Sequence, residues 1–149
     1  MSTITRISPD EAQAKMKDEG FTYVDVRTEE EFEAGHPASA VNVPSMLTGP
    51  DGMTPNPEFL GVMERAFAKD APLVLGCKTG NRSMRAARLL LDAGFTRVLE
   101  QRAGWEGAKG SFGELVEPGW SRTSLPVETG VPAERSHAAM RAKSISAAR

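Results

Sequence analysis

Apolar and polar positions along this chain switch repeatedly between a helical period and a strand period. Ser8-Pro9-Asp10-Glu11 opens the first helix: Ser8 caps it, Pro9 suits the first helical position, and Glu11 can reach back to the cap amide. This helix is predicted to run to about Gly20. Phe21 to Val26 alternates large apolar with smaller or polar residues of high β content and reads as a strand. Thr28-Glu29-Glu30-Glu31 is a second capping box, opening a short helix that carries Phe32 and ends at Gly35-His36-Pro37. Ala40 to Val43 is a short apolar strand closed by Pro44, and the following Gly49, Pro50, Gly52, Pro55 and Pro57 mark a long surface loop.

Asn56-Pro57 starts another helix through about Phe67, with Phe59, Leu60, Met63, Ala66 and Phe67 at helical spacing. Leu73-Val74-Leu75 is a buried-strand candidate ending at Gly76-Cys77. Arg82 to Leu91 is a helix with an Ala86-Ala87-Leu89-Leu90 apolar face, stopped by Gly94, and Arg97 to Leu99 makes a further short strand. Repeated strand, helix, strand units of this length favour an α/β fold with a parallel sheet covered by helices on both faces. Ala103 to Gly119 holds five glycines and Trp105, with Trp120 just beyond, and reads as an ordered loop. Residues 131 to 149 are Ala-rich with little core-forming bulk, so a frayed helix or disorder is expected there, leaving residues 1 to 130 as the domain.

Composition narrows the function classes. The 149 residues suffice for one α/β domain and not for two, and a core of this size needs no disulfide or metal staple. A net charge of −2 argues against a general polyanion binder, so no nucleic-acid partner is expected, although the last nineteen residues carry +3 and the preceding 130 carry −5. No apolar run approaches the length of a membrane span or a signal peptide, so the expectation is a cytoplasmic protein with no membrane partner. The one cysteine, Cys77, excludes an intramolecular disulfide and a multi-cysteine zinc site.

Cys77 is therefore either packing or chemistry. A lone cysteine after an apolar run is commonly a buried small hydrophobe. Against that stands its context: an apolar strand, then Gly76-Cys77-Lys78-Thr79-Gly80-Asn81-Arg82-Ser83, then a helix. A loop leading from the carboxyl end of a parallel strand into a helix N-terminus is where open α/β sheets bind ligands, and its amides favour an anion. If the loop curls around the sulfur, those amides with Lys78 and Arg82 favour thiolate over thiol. Gly80 permits the tight curve, and Arg82 offers a planar donor fork for an oxyanion. Arg85 and Arg88 either rim the pocket with Lys78 or form a solvated helix face.

In these segments the sequence resembles the rhodanese, or thiosulfate sulfurtransferase, family. Val24-Asp25-Val26-Arg27 with Thr28 to Phe32, Gly35-His36 leading to Ala40-Val41-Asn42-Val43-Pro44, and Cys77 to Ser83 carry the likeness. Ala103-Gly104-Trp105 and Leu125-Pro126-Val127 extend it over about residues 3 to 129. The resemblance implies a single-domain member: a three-layer fold with a five-stranded parallel sheet flanked by helices on both faces, and the Cys77 loop at the end of a central strand. It further implies transfer of a sulfane sulfur from thiosulfate or another persulfide donor through a Cys77 persulfide to a thiol or cyanide, without cofactor or metal. Cys77 would be the nucleophile, the backbone of Lys78 to Arg82 the sulfur cradle, Arg82 the loop-end residue stabilising it, and Lys78, Thr79, Gly80, Asn81, Arg82 and Ser83 the substrate-binding residues, with Lys78 at a variable position that tunes donor choice. The implied partners are a small anionic sulfur donor, a thiol acceptor and a protein sulfur acceptor. Asp25 with Arg27, and His36, match family positions and are expected to serve structure.

Two departures stand out. Pro37-Ala38-Ser39 replaces the family's aliphatic residue followed by Pro-Gly, and the stretch Glu106 to Pro118 is longer than the usual link, which makes it a pocket wall or a partner surface. Two other readings compete. Cysteine phosphatases and arsenate reductases also place Cys and Arg around an anion loop; related phosphatases have five residues between the two, whereas four separate Cys77 from Arg82. A rhodanese-like interaction module or persulfide carrier is the non-enzymatic alternative; catalytically dead members usually lack the cysteine that this chain keeps.

Overall fold

A computed structural model describes residues 3 to 143. The strands are β1 (Thr5–Ile7), β2 (Thr22–Asp25), β3 (His36–Pro37), β4 (Val41–Asn42), β5 (Met46–Gly49), β6 (Gly52–Pro55), β7 (Leu73–Gly76), β8 (Val98–Gln101), β9 (Gly107–Lys109), β10 (Leu115–Pro118) and β11 (Val127–Glu128). The α-helices are α1 (Pro9–Glu19), α2 (Glu29–Ala34), α3 (Phe59–Ala66), α4 (Asn81–Asp92) and α5 (His137–Ala142). Both predicted capping boxes form, on Ser8–Glu11 and on Thr28–Glu31, and Gly20 ends α1 in the left-handed region at φ 71°.

Five strands make the main sheet in the order β1-β8-β7-β2-β4, with every pairing parallel. Alternation along the strands sends neighbours to opposite faces, which splits the core in two. Val24, Leu73 and Leu75 meet Phe59, Val62 and Met63 of α3 and Ala86, Ala87 and Leu90 of α4 on one face. Tyr23 and Val74 meet Ala12 of α1, Phe32 of α2 and Trp120 on the other. This is the α/β three-layer arrangement expected, with β7 central and so buried along its whole length.

Three expectations are corrected. The region around Gly49 to Pro57 is not an irregular loop throughout: β5 and β6 pair as an antiparallel hairpin, turning at Pro50-Asp51. Its residues are mostly exposed, so no one-sided apolar pattern announced it. The stretch from Ala103 to Gly119 holds a second antiparallel hairpin, β9 with β10. The C-terminal stretch is not a frayed tail over residues 131 to 143. Ser136 caps α5, accepting from the Ala139 amide at 3.0 Å, and Met140 of that helix enters the core beside α3. Arg135 ties its start to Glu128 at 2.8 Å. Met140, with Ala139 packed beside it, and the contacts of Arg135, His137 and Arg141 with Glu128, Glu29 and Glu58 dock a segment whose composition is otherwise polar and small. The remainder of the predicted tail, 144 to 149, lies outside the described residues. No helix among the described residues is long and apolar enough to cross a membrane.

Candidate active site around Cys77

The fully buried strand β7 ends at Gly76, and Cys77 follows at the carboxyl edge of the sheet, between β2 and β8. Gly76 is required by its neighbour: any Cβ there would collide with the Tyr23 ring and hydroxyl. Burial raises the Tyr23 phenol far above its usual range, so it stays neutral, and it accepts from Gln101 Nε2 at 3.2 Å.

Beyond Cys77 the chain turns through Lys78, Thr79 and Gly80 into α4. Gly80 has φ 103°, and a Cβ on it would stand 2.7 Å from the Arg102 carbonyl oxygen. This conformation brings the Gly80 amide to 3.1 Å from Cys77 Sγ, the donor that a sulfur anion needs. The loop's carbonyls are held elsewhere: the amides of Trp105 and Glu106 donate to Cys77 O at 2.7 Å and Lys78 O at 2.9 Å. Gly104, with φ 63°, makes that approach possible, since a Cβ would meet the Lys78 carbonyl at 2.6 Å. Sequence reasoning placed this Ala103-Gly104-Trp105 segment in an ordered loop and did not foresee that it clamps the cysteine loop.

The side chains of the residues expected to bind substrate divide. Lys78 is exposed, with Nζ 4.0 Å from Glu106 Oε1, and Lys109 approaches the other Glu106 oxygen at 3.4 Å. Thr79 is half-buried and Asn81 exposed. Arg82 does not turn its fork to the loop. Both of its terminal nitrogens donate to Glu31 of α2, at 2.7 and 3.0 Å, so the oxyanion role expected of them is already occupied by a carboxylate. Ser83 is fully buried and Cys77 is 2% exposed; the Ser83 Oγ lies 3.3 Å from Cys77 Sγ. Arg85 is exposed at the cleft described below, whereas Arg88 turns to Asp92 one helical turn on, at 3.7 Å.

Two residues that sequence reasoning did not single out complete the inner site. Glu100 of β8 is fully buried, accepts the Ser83 hydroxyl proton on Oε2, and accepts from Arg6 Nε on Oε1 at 2.6 Å. The available signal was a lone acid inside an apolar strand, Val98-Leu99-Glu100, with Arg6 at the matching position of β1.

The family-matched residues away from the loop serve support. Arg27 forms a buried pair with Asp25, at 2.7 Å from Nη2 to Oδ2, and also donates to the Gly35 carbonyl at 2.6 Å. Burial works against the Arg27 charge, but Asp25 outweighs it and holds the guanidinium protonated. The Trp105 ring covers that guanidinium at 4.9 Å, tying the clamp segment to β2. His36 is fully buried, stacked on Phe32, with Nδ1 at 2.7 Å from the Phe32 carbonyl and Nε2 at 3.1 Å from Glu128. It therefore fixes a turn and does not face the sulfur. Ser39, at the position where the family places glycine, has φ 76°, the one non-glycine positive φ among the described residues.

A cleft of about 500 Å³ opens beside the first turn of α4. Ser45, Met46 and Pro55 of the β5–β6 region wall it on one side, and Asn81, Arg82, Met84 and Arg85 on the other. Among the described residues, no group of three or more His, Cys, Asp or Glu side chains is arranged to hold a metal ion. What remains is a cysteine sulfur at a strand end, a donor amide 3.1 Å from it, and a buried polar chain behind it.

The Rhodanese-like domain family model matches residues 8–111, which includes the Cys77 loop and both capping boxes. The chain belongs to the rhodanese-like domain family. It is 37% identical over 127 residues to senescence-associated protein DIN1 of Raphanus sativus, covering 85% of this chain and 60% of that protein. It is 38% identical over 109 residues to the chloroplastic thiosulfate sulfurtransferase 16 of Arabidopsis thaliana, covering 73% of this chain and 81% of that one. Among solved structures, that of Rv0390 from M. tuberculosis superposes with a TM-score of 0.68 at 30% identity, covering 87% of this chain and all of that one. This rhodanese-like domain thus spans about three fifths of the radish relative's length.

Proposed function

We propose that this rhodanese-like domain is a sulfurtransferase that carries a sulfane sulfur as a Cys77 persulfide, taken from thiosulfate or another persulfide donor and delivered to a thiol or cyanide. The observation that carries the reading is the loop itself: Gly80 directs its amide at Sγ from 3.1 Å, while the Cys77 and Lys78 carbonyls are bound by Trp105 and Glu106. Such a donor stabilises a developing sulfur anion. The relatives named thiosulfate sulfurtransferase support the same reading.

In the first half-reaction the Cys77 thiolate bonds to the outer sulfur of the donor. With thiosulfate, the donor's S–S bond breaks and sulfite leaves with the electron pair. In the second, an acceptor takes the outer sulfur and Cys77 leaves as a thiolate. Lys78 and Arg85 are the cations at the rim with exposed side chains, and we assign them to the anionic donor and acceptor. Arg82, neutralised by Glu31, acts as a brace between α2 and α4. The phosphatase reading is disfavoured on the same geometry: the four-residue loop is short for a tetrahedral phosphate, and the Arg82 fork is occupied.

The test is the intact mass of the protein before and after thiosulfate, with Cys77→Ser alongside. A gain of about 32 Da that requires Cys77 and is removed by cyanide as thiocyanate supports the ping-pong route. A gain only from a persulfide donor redefines the protein as a carrier fed by a partner. No gain from either, or a gain in Cys77→Ser, overturns the proposal.

A further inference from the structure

Behind Cys77 runs a buried hydrogen-bonded chain that the scheme above leaves unused. Sγ lies 3.3 Å from Ser83 Oγ, Oγ is bonded to Glu100 Oε2, and Glu100 Oε1 accepts from Arg6 Nε at 2.6 Å. Ser83 and Glu100 are fully covered, whereas the Arg6 side chain is 40% exposed. Water thus reaches this chain at its Arg6 end.

The proton count decides what the chain does. Ser83 owns one hydroxyl proton. With Glu100 ionised, that proton goes to the carboxylate, and the contact to sulfur is made by a Cys77 thiol donating S–H to Oγ. With Cys77 as a thiolate, Ser83 must donate to sulfur instead, and Glu100 must itself carry a proton to satisfy Oγ. Each anion keeps one donor of its own, Gly80 N–H on Sγ and Arg6 Nε on Glu100, but the Ser83 proton can serve only one of them, and the other would face the Oγ lone pair, which disfavours two charges at once. Cys77 and Glu100 therefore share a proton through Ser83.

Building on the sulfurtransferase reading, we propose that Glu100 is the proton partner of Cys77: it takes the thiol proton through Ser83 when the thiolate forms, and returns it when Cys77 leaves the persulfide. The Cys77 proton passes to Ser83 Oγ as the Ser83 proton passes to Glu100 Oε2, and no electrons change hands. The thiolate then forms its bond to the donor's outer sulfur, and sulfite leaves with the pair. On discharge the acceptor bonds to the outer sulfur, the bond to Sγ breaks, and the pair returned to Sγ recovers the proton from Ser83 while Glu100 reprotonates Ser83. Glu100 acts through Ser83 and is a positioning residue; Ser83 touches the reacting atom.

The surrounding charges fit this assignment. Arg6 from β1 holds Glu100, and its Nη2 would lie 3.0 Å from a Cβ placed on Gly80; its exposure lets water solvate it when Glu100 is neutral. Arg82 from α4 is engaged by Glu31, and Lys78 from the loop faces Glu106. Asp25 and Arg27 at the end of β2 neutralise one another, and Tyr23 of β2 is neutral. Among the described residues, Glu100 is the carboxylate joined to the sulfur by hydrogen bonds.

The experiment uses the full chain and three readouts: the pH dependence of Cys77 alkylation by iodoacetamide, single-turnover loading by thiosulfate, and discharge by cyanide. In Glu100→Gln the new amide donates to Ser83, committing the serine proton to sulfur and removing a buried anion. The alkylation curve is expected to move to lower pH by about one unit. Loading is retained, and discharge is not slowed, because a thiolate of lower pKa is the better leaving group. In a Ser83→Ala background, Glu100→Gln should move the curve clearly less, since only the field of the removed anion is left to act.

Arg6→Gln separates the shared proton from simple electrostatics and keeps the test open if Glu100→Gln fails to fold. Losing a nearby cation should slow alkylation at pH 6 by field alone; a more basic Glu100 should make it several times faster. An unmoved curve in Glu100→Gln, equal losses in loading and discharge, or slower alkylation in Arg6→Gln overturns the proposal. A wild-type chain that gains no sulfur from any donor overturns the sulfurtransferase reading instead, while the alkylation curves still judge the shared proton.

Discussion

Arg82 and Glu31 stand fifty-one residues apart in sequence and meet through two hydrogen bonds of 2.7 and 3.0 Å. The pair joins α4, which begins at the cysteine loop, to α2, which follows the Asp25–Arg27 pair. Glu31 is also the second member of the Thr28 capping box, so one carboxylate closes a helix end and braces the site.

This relationship makes stability acid-sensitive. Burial acts to raise the Glu31 carboxyl, but the Arg82 and Thr28 hydrogen bonds outweigh it and bring it to about 2, from an ordinary 4.5. Hydrogen bonding to Arg135 brings Glu128 to about 2 as well. A carboxyl depressed in the folded state contributes stability above its unfolded value and loses it as pH falls towards the folded one. Unfolding free energy should therefore decline between about pH 5 and pH 2, and Glu31→Gln should flatten that decline. Urea titrations across this range check it; an unchanged slope in the variant would remove the pair from the account.

Ser39 occupies the left-handed region at φ 76°, where a side chain is strained. Ser39→Gly should therefore stabilise the fold by about 1 kcal/mol despite glycine's greater freedom when unfolded. Denaturant midpoints decide it, and a loss of stability would mean that the serine side chain makes a compensating contact.

Met140 is 1% exposed and packs into the core beside α3. Met140→Ala should cost about 2–4 kcal/mol, and truncation before Val131 should cost more by also removing the Arg135–Glu128 bridge. Melting temperatures of the two variants test this. A truncated chain that melts like the full one would show that α5 is dispensable.

Gly80→Ala would put a side chain at φ 103° and 2.7 Å from the Arg102 carbonyl. The expected cost exceeds about 1 kcal/mol, and sulfur loading should fall with it because the donor amide moves off Sγ. Loading by thiosulfate, followed by mass at a temperature where the variant is folded, is the discriminating measurement; loading at the wild-type rate would show that the loop tolerates another shape.

How much was legible follows from how local each feature is. Ser8–Glu11 and Thr28–Glu31 satisfy helix ends within four residues, so their side chains alone announce the caps. The apolar run of β7 and the turn through Gly80 are equally contiguous, which is why the Cys77 loop and the parallel α/β class could be read directly. The β5–β6 hairpin could not, because a ribbon wet on both sides writes no one-sided apolar pattern.

Partner choice among charges belonged to the tertiary structure. In the sequence Arg82 is a free fork beside a cysteine; folding brings Glu31 against it first, since a half-buried guanidinium is held by a carboxylate fixed in the fold. Glu100 is a misplaced acid in an apolar strand until the parallel register sets Arg6 beside it and α4 lays Ser83 over it. Met140 is one apolar residue in a polar segment until α5 docks beside α3. The sequence by itself determined the helix ends, the strand order's raw material and the cysteine loop between β7 and α4, because these depend on neighbours along the chain. The clamp on the loop, the brace at Arg82 and the proton partner of Cys77 were decided only by folding, because hydrogen bonds and ion pairs are chosen by distance in space.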